Sequence, residues 1–227
     1  MKAPIRRLTK AQIEWLADSE NRCKHRHTYL EHYQCFLNEN PVNAPFKERV
    51  GYLDIESTGL KGNWDYMLCW CIKEAGKADI LGRHLKPREI TGYKFDKDLT
   101  KELIDTINQF DRVITYYGIR FDIPFIKTRA EKWGLDFPAY RDLWQTDVYF
   151  IAKANLLLHS TRLMHVCDLL GIPNKEHKLI PDIWMKAKSG HVPSLEWIFT
   201  HCQEDVTSLE LAHERLKKYT LPQKRSI

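Results

Sequence analysis

Apolar residues change their spacing along the chain, and each change predicts an element. Thr9 can cap a first helix whose stripe is Ile13, Leu16 and Ala17. A dense run of histidine, cysteine and aromatic residues follows over 22–37. Residues 38–45 (Asn-Glu-Asn-Pro-Val-Asn-Ala-Pro) then break regular structure with two prolines and three asparagines. This break separates a small N-terminal helical appendage, 1–47, from a main domain, 48–227.

Beyond the break, 49–55, 66–72 and 78–85 read as strands joined by turns containing Gly62 and Gly76. Connections that short favour antiparallel neighbours. A helix over 97–110 presents Leu99, Leu103, Ile104 and Ile107 on one face. A fourth strand, 113–117, stops at Gly118, and a helix runs from near Asp122 to Trp133. A short fifth strand is expected over 143–146, then helical stretches from Asp147 and from Thr161, the second ending at Gly171. After Pro193 a long helix carries Leu195, Ile198, Phe199, Cys202, Val206, Leu209 and Leu216 at helical spacing. Three strands followed by alternating helix and strand predict an α/β fold: a mixed sheet with helices on both faces.

Composition changes this picture little. The chain has 227 residues, 43% hydrophobic and 29% charged, which is ordinary for a globular protein with a real core. A formal net charge of +5 tolerates a polyanionic partner without demanding one. No apolar run approaches the roughly 20 residues of a membrane helix, so no membrane association is expected. The N-terminus leads into a polar stretch rather than a signal-peptide core, so a cytoplasmic location is expected. Cysteines in that compartment stay reduced. Cys69 and Cys71 then read as small buried residues on one strand face.

Three acidic stations carry the candidate chemistry. In Asp54-Ile-Glu56-Ser57-Thr58-Gly59-Leu60, the carboxylates are two apart on a strand and project from one face, while Leu53 and Ile55 point to the other. Adjacent acids in a sheet repel each other, and a hard divalent cation is the usual compensation. A solvated strand face is the alternative, although carboxylates are poor strand formers. In Gly118-Ile-Arg120-Phe-Asp122-Ile-Pro124 a strand ends and an acid stands at a helix start, where a plain N-cap role is the alternative. In His201-Cys-Gln-Glu-Asp205 two residues four apart share one helix face, as an exposed ion pair also would.

Taken in order, the three segments resemble the motifs of the DEDD exonuclease superfamily, nucleases of ribonuclease H-like fold. In detail the chain is similar to the YprB-like predicted exonucleases, phage-borne members included. The resemblance covers about 49–219. It departs in two places. Ser57 stands where threonine is usual, and His201 occupies the register of the tyrosine branch, while Thr200 fills the position used by the histidine branch.

The resemblance implies a metal-dependent 3′–5′ exonuclease acting on DNA or RNA through two Mg²⁺ or Mn²⁺ ions. Asp54 would bridge both ions, Glu56 and Asp205 would hold one, and Asp122 the other, partly through water. His201 would orient or deprotonate the attacking water or merely help position it. Ser57, Thr58, Gly59 and Leu60 would meet a single-stranded 3′ end, with Gly59 admitting backbone and Leu60 wedging against a base or joining the core. Arg120, Lys127, Arg129 and Lys132 either contact phosphates or form a solvated helix face. A structure-selective endonuclease of the same fold, and a nucleic-acid-binding module with weak activity, are the competing readings.

The appendage holds five metal-ligand side chains in thirteen positions: Cys23, His25, His27, His32 and Cys35. Cys23 with His27, and His32 with Cys35, can each chelate from one turn of backbone and together complete a tetrahedral Cys₂His₂ set for structural Zn²⁺. His25 replaces His27 if the turn is extended. The alternative is an amphipathic helix with solvated histidines and small buried cysteines.

Overall fold

In the computed structural model, which describes residues 8–39, 48–139, 142–173 and 175–219, the first three apolar runs pair into one sheet. Strand β1 (Val50–Ser57) lies antiparallel to β2 (Met67–Glu74), which lies antiparallel to β3 (Ile80–His84). On its other side β1 runs parallel to β4 (Arg112–Thr115), and β4 parallel to β5 (Trp144–Asp147). The resulting order is β3-β2-β1-β4-β5. Strand β2 is buried along nearly its whole length, which explains its unbroken apolar sequence Met-Leu-Cys-Trp-Cys-Ile.

Alternation along β1 divides the helices between two faces. Tyr52 bonds His213 of the long helix α9 (Val192–Leu216), its hydroxyl 3.0 Å from Nδ1. Gly51, on the opposite face, lies under Phe110, just past α4 (Lys97–Ile107). The expected stripe of α4 is buried throughout. Helix α5 (Asp122–Trp133) connects β4 to β5, and α6 (Val148–Asn155) and α7 (Leu163–Leu170) precede α9.

Two helices lie where apolar spacing predicts none: α3 (Pro87–Thr91) and α8 (Pro181–Lys188). Each has proline in its first turn, where the missing N–H costs nothing. Strand β4 ends two residues earlier than expected, because Tyr117 turns out of the sheet at φ 64°.

The appendage contains α1 (Lys10–Ala17), opened by a Thr9/Gln12 capping box, and α2 (Tyr33–Glu39). It buries its own small cluster of Leu16, Cys23, Tyr29, Cys35 and Phe36. Lys10 fastens it to the main domain, its backbone N–H donating to Asp111 and its Nζ to the Asn108 carbonyl. The boundary expected within 38–45 falls mostly outside the described residues. Among those residues no helix is long and apolar enough to cross a membrane.

Candidate active site

The site begins where two strands part. Pairing of β1 with β4 ends at Tyr52↔Ile114, so the N–H of Ile55 has no strand partner on that side. It donates instead to Asp122 Oδ1 at 3.2 Å. Asp122 is therefore no N-cap: Phe121 occupies that position, and the buried Asp122 carboxylate reaches across to β1. Asp54 and Glu56 project from the β1 face that α9 covers. Helix α9 contributes His201 and Asp205 one turn apart, with His201 Nε2 at 3.0 Å from Asp205 Oδ2 and 3.8 Å from Glu56 Oε1. Cys202, between them in sequence, donates its thiol to the Asp54 carbonyl at 3.5 Å. Ligand atoms of Glu56, His201 and Asp205 all lie within 4.8 Å of one another.

The electrostatics are those of an acidic cluster withdrawn from water. Burial, reinforced by the charges of Asp205, Glu56 and Asp122, holds the Asp54 carboxyl well above the usual range. Burial and Asp205 do the same to Glu56. Burial pushes Asp122 up to about 7 despite its backbone hydrogen bonds. Asp205 moves the other way: burial would raise it, but the His201 hydrogen bond and the Lys175 charge outweigh that and lower it. Asp54 Oδ2 is buried with no hydrogen-bond partner among the described residues. A buried carboxylate oxygen without a donor is costly. With Glu56, Asp122 and Asp205 near it, Asp54 completes a hard oxygen donor set that fits a divalent cation.

A pH dependence follows for the metal-free protein. Asp54, Glu56 and Asp122 have folded pKa values above their unfolded ones, so the folded state binds more protons and loses stability as pH rises through that window. Asp205 has the opposite sign, but its stabilisation is lost only as pH falls below the unfolded carboxylate value. In chelator-treated protein the melting temperature should be a few degrees higher near pH 6 than near pH 8. Millimolar Mg²⁺ should raise it at the higher pH and much less at the lower. Asp122→Asn should flatten both responses in a thermal melt, and an unchanged pH slope in that variant refutes the assignment.

Several neighbours escaped the motif reading. Lys175 Nζ contacts Asp205 Oδ1, placing a cation against the acids. Its segment is docked on α9 by Glu204, which takes His177 Nδ1 at 2.6 Å and the His177 N–H at 3.2 Å. The His177 carbonyl in turn accepts from His201 Nδ1. Buried Asp147 caps α6 and accepts the N–H groups of Tyr117 and Ile119 at 2.8 and 2.9 Å, fixing the loop that delivers Asp122. In that loop Gly118 has no room for a Cβ, which would meet Thr115 Cβ at 2.4 Å. Sequence signals for these roles came from Gly118, read as the stop of the fourth strand, and from the acid-before-helix pattern at Asp147.

The loop after β1 divides its residues between support and surface. Ser57 donates to the Gly59 carbonyl at 2.6 Å. Thr58 donates to Asp65 at 3.3 Å and accepts the Tyr66 N–H at 3.1 Å. Both side chains are buried and engaged within the loop. A Cβ on Gly59 would lie 2.5 Å from the Asp65 carboxylate, so its space is taken by the protein itself. Leu60 is 76% exposed and outside the core, and Trp64 in the same loop is 84% exposed. Arg120 is exposed, whereas Arg129, grouped with it from sequence as a phosphate contact, is 1% exposed and paired with Asp96. Lys127 and Lys132 lie over the Phe137 and Trp133 rings.

In the appendage the ligand atoms of Cys23, His25, His32 and Cys35 lie within 4.8 Å of one another. His27, assigned to that set on spacing, is outside it, its ring edge-on to His32 with centroids 5.6 Å apart. The chain turns at Arg26, which has φ 66°, so His25 and not His27 comes round beside Cys35.

A mixed sheet of this order, with acids converging from β1, α5 and α9, defines a ribonuclease H-like domain. Residues 51–217 match the family model described as RNase_H superfamily, and the chain belongs to that superfamily. A DNA polymerase of Methanocaldococcus jannaschii is 39% identical over 69 residues, which are 30% of this chain and 4% of that protein. The family B DNA polymerase from the hyperthermophilic archaeon Pyrobaculum calidifontis shares the fold, with a TM-score of 0.55 at 17% identity over 78% of this chain and 25% of that one. The chain thus spans a minor part of both polymerases.

Proposed function

We propose that this domain is a metal-dependent nuclease of the DEDD type, a 3′–5′ exonuclease hydrolysing phosphodiester bonds of DNA or RNA. The carrying observation is that Glu56, Asp122 and Asp205 gather around Asp54, whose buried Oδ2 has no partner among the described residues; the order of these acids along the chain resembles that of the YprB-like exonucleases. Nothing in the packing of a β-sheet requires four acids in one place. Asp54, Glu56, Asp122 and Asp205 would hold Mg²⁺ or Mn²⁺, which supplies Lewis-acid polarisation of the phosphate and a nucleophilic water at neutral pH.

The chain's own groups would handle protons and position the strand. A carbonyl can only accept, so His201 keeps a proton on Nδ1 towards His177 and turns Nε2 to Glu56 and Asp205. Neutral at Nε2, the ring accepts a proton at the reacting centre; cationic, it donates to Asp205. Lys175 can meet a phosphate oxygen. Exposed Leu60 and Trp64 offer an apolar and a stacking surface to terminal bases, which suits a single-stranded 3′ end. Arg120 lies outward for the backbone.

Purified protein incubated with 5′-labelled single-stranded DNA and RNA should give a ladder of shortening labelled products with Mg²⁺ or Mn²⁺ and none with EDTA. A blocked 3′ end should protect the strand. Discrete internal cuts on the blocked strand would replace the exonuclease with the endonuclease reading. Tight strand binding without metal-dependent cleavage would leave a binding module.

A further inference from the structure

Outside the acidic site, the described residues bring together a second set of metal-ligand atoms of different chemistry. Residues 22–28 form a small hairpin closed by the Arg22↔Thr28 bridge. Within it the Cys23 N–H donates to the His27 carbonyl at 3.0 Å, and the Arg26 N–H to the Cys23 carbonyl at 2.8 Å. This tight turn aims Cys23 and His25 at one point. From the opposite side comes the start of α2, where the His32 N–H donates to the Thr28 carbonyl at 3.1 Å and the Cys35 N–H to the His32 carbonyl at 2.9 Å. His32 and Cys35 thus project from a single turn towards the same point.

Four of the six distances among these atoms, the sulfur–nitrogen ones, are close to the edges of a tetrahedral site, and all six are within 4.8 Å. Cys23 Sγ lies 3.9 Å from His25 Nδ1 and 3.7 Å from His32 Nδ1. Cys35 Sγ lies 3.2 Å from His25 Nδ1 and 3.6 Å from His32 Nδ1. Bonds of about 2.3 Å to sulfur and 2.0–2.1 Å to nitrogen at the tetrahedral angle give a sulfur–nitrogen edge of about 3.5 Å. The four observed edges bracket that value, and both histidines present the same ring nitrogen. Both sulfurs belong to free, buried cysteines. Two thiolates and two imidazoles suit a borderline-soft ion and poorly suit Mg²⁺.

We infer that Cys23, His25, His32 and Cys35 form a closed structural Zn²⁺ site that holds the N-terminal module in shape. Four protein ligands leave no open position for a substrate or water, which separates this site from a catalytic zinc. The module needs such a fastening. Among the described residues its buried cluster is five side chains, two of them the ligand cysteines, with Leu8 and Trp15 packed against it. A core that small rarely holds a fold alone, and zinc binding supplies folding free energy directly. The ion would tie the hairpin to α2, while Lys10 ties the module to the Asn108 and Asp111 turn of the main domain. This site is independent of the nuclease reading.

The test uses full-length protein dialysed against metal-free buffer and measured by elemental analysis. Wild type should retain about one zinc per chain, and Co²⁺ exchange should give the intense visible bands and near-ultraviolet thiolate charge transfer of a tetrahedral S₂N₂ site. His25→Ala should weaken zinc retention at least about tenfold, His27→Ala should leave it unchanged, and Cys23→Ser/Cys35→Ser should abolish it. Asp54→Asn, which alters only the acidic site, should keep its zinc. Folded wild-type protein with neither zinc nor a cobalt spectrum overturns the inference. So does zinc lost in His27→Ala but kept in His25→Ala, which would restore the ligand set expected from spacing.

Discussion

Asp54→Asn should lower strand cleavage by about three orders of magnitude or more, because an ion held by carboxylates contributes several kcal/mol of transition-state stabilisation and each 1.4 kcal/mol is tenfold. The same substitution should not unfold the protein. Without metal, Asp54 is a carboxyl that burial and three acidic neighbours push well above its normal range, and its Oδ2 has no donor among the described residues. An asparagine amide at that position replaces a titrating acid with a neutral group and turns an N–H donor toward the neighbouring carboxylates. Chelator-treated Asp54→Asn near pH 8 should therefore melt at or above the wild-type temperature. Loss of activity with gain in metal-free stability is the signature of a functional charge cluster; a merely structural acid would lose both. Single-turnover cleavage of a labelled strand and a thermal melt of the same preparation make the measurement. Wild-type cleavage by the variant removes Asp54 from the chemistry.

How much of this was legible in the residues depended on the range of the interaction. Asp54 and Glu56 could be placed on one face of β1 because strand alternation is local, and His201 with Asp205 on one face of α9 because helical periodicity is local. The buried stripes of α4 and α9 followed from the same periodicity. What Asp122 does could not be read locally. At a helix start it looks like a cap, and only the parting of β1 from β4 after Tyr52 creates the unpaired N–H that it answers. Lys175 lies thirty positions from Asp205 in a loop with no periodic pattern, so its approach to the acids depends on how α7 and α8 pack against α9. Arg129 looked like one more cation on a basic helix, and its partner Asp96 lies in a different element. In the appendage the ligand types were plain and the geometry was not. One residue in the left-handed region, Arg26, exchanges His27 for His25, and spacing alone carries no sign of that backbone angle.

Arg129→Leu should destabilise the folded domain by about 3–5 kcal/mol, the usual cost of stranding one partner of a buried ion pair. For a domain of this size that lowers the melting temperature by roughly 10 °C or more. Arg129 is 1% exposed and Asp96 0%. The guanidinium donates through Nε to Asp96 Oδ2 at 2.8 Å and through Nη2 to Oδ1 at 2.5 Å, the two-pronged geometry that carboxylates favour. Asp96 also accepts the Met67 N–H at 2.8 Å and Trp133 Nε1 at 3.0 Å, so the pair joins β2, α4 and α5. Arg129 Nη1 donates to the carbonyls of Gly62 and Asp65, each at 2.8 Å. Those two residues flank exposed Trp64 in the loop that also exposes Leu60, and Asp65 fills the space beside Gly59. The effect should therefore reach function without touching the acids: at a temperature where the variant is folded, KM for a single strand should rise more than kcat falls. Asp96→Asn should destabilise in the same direction, and the double variant by clearly less than the sum, since the second change removes the charge that the first leaves stranded. Strict additivity in that cycle, or an Arg129→Leu protein as stable as wild type, would show that the pair holds nothing together.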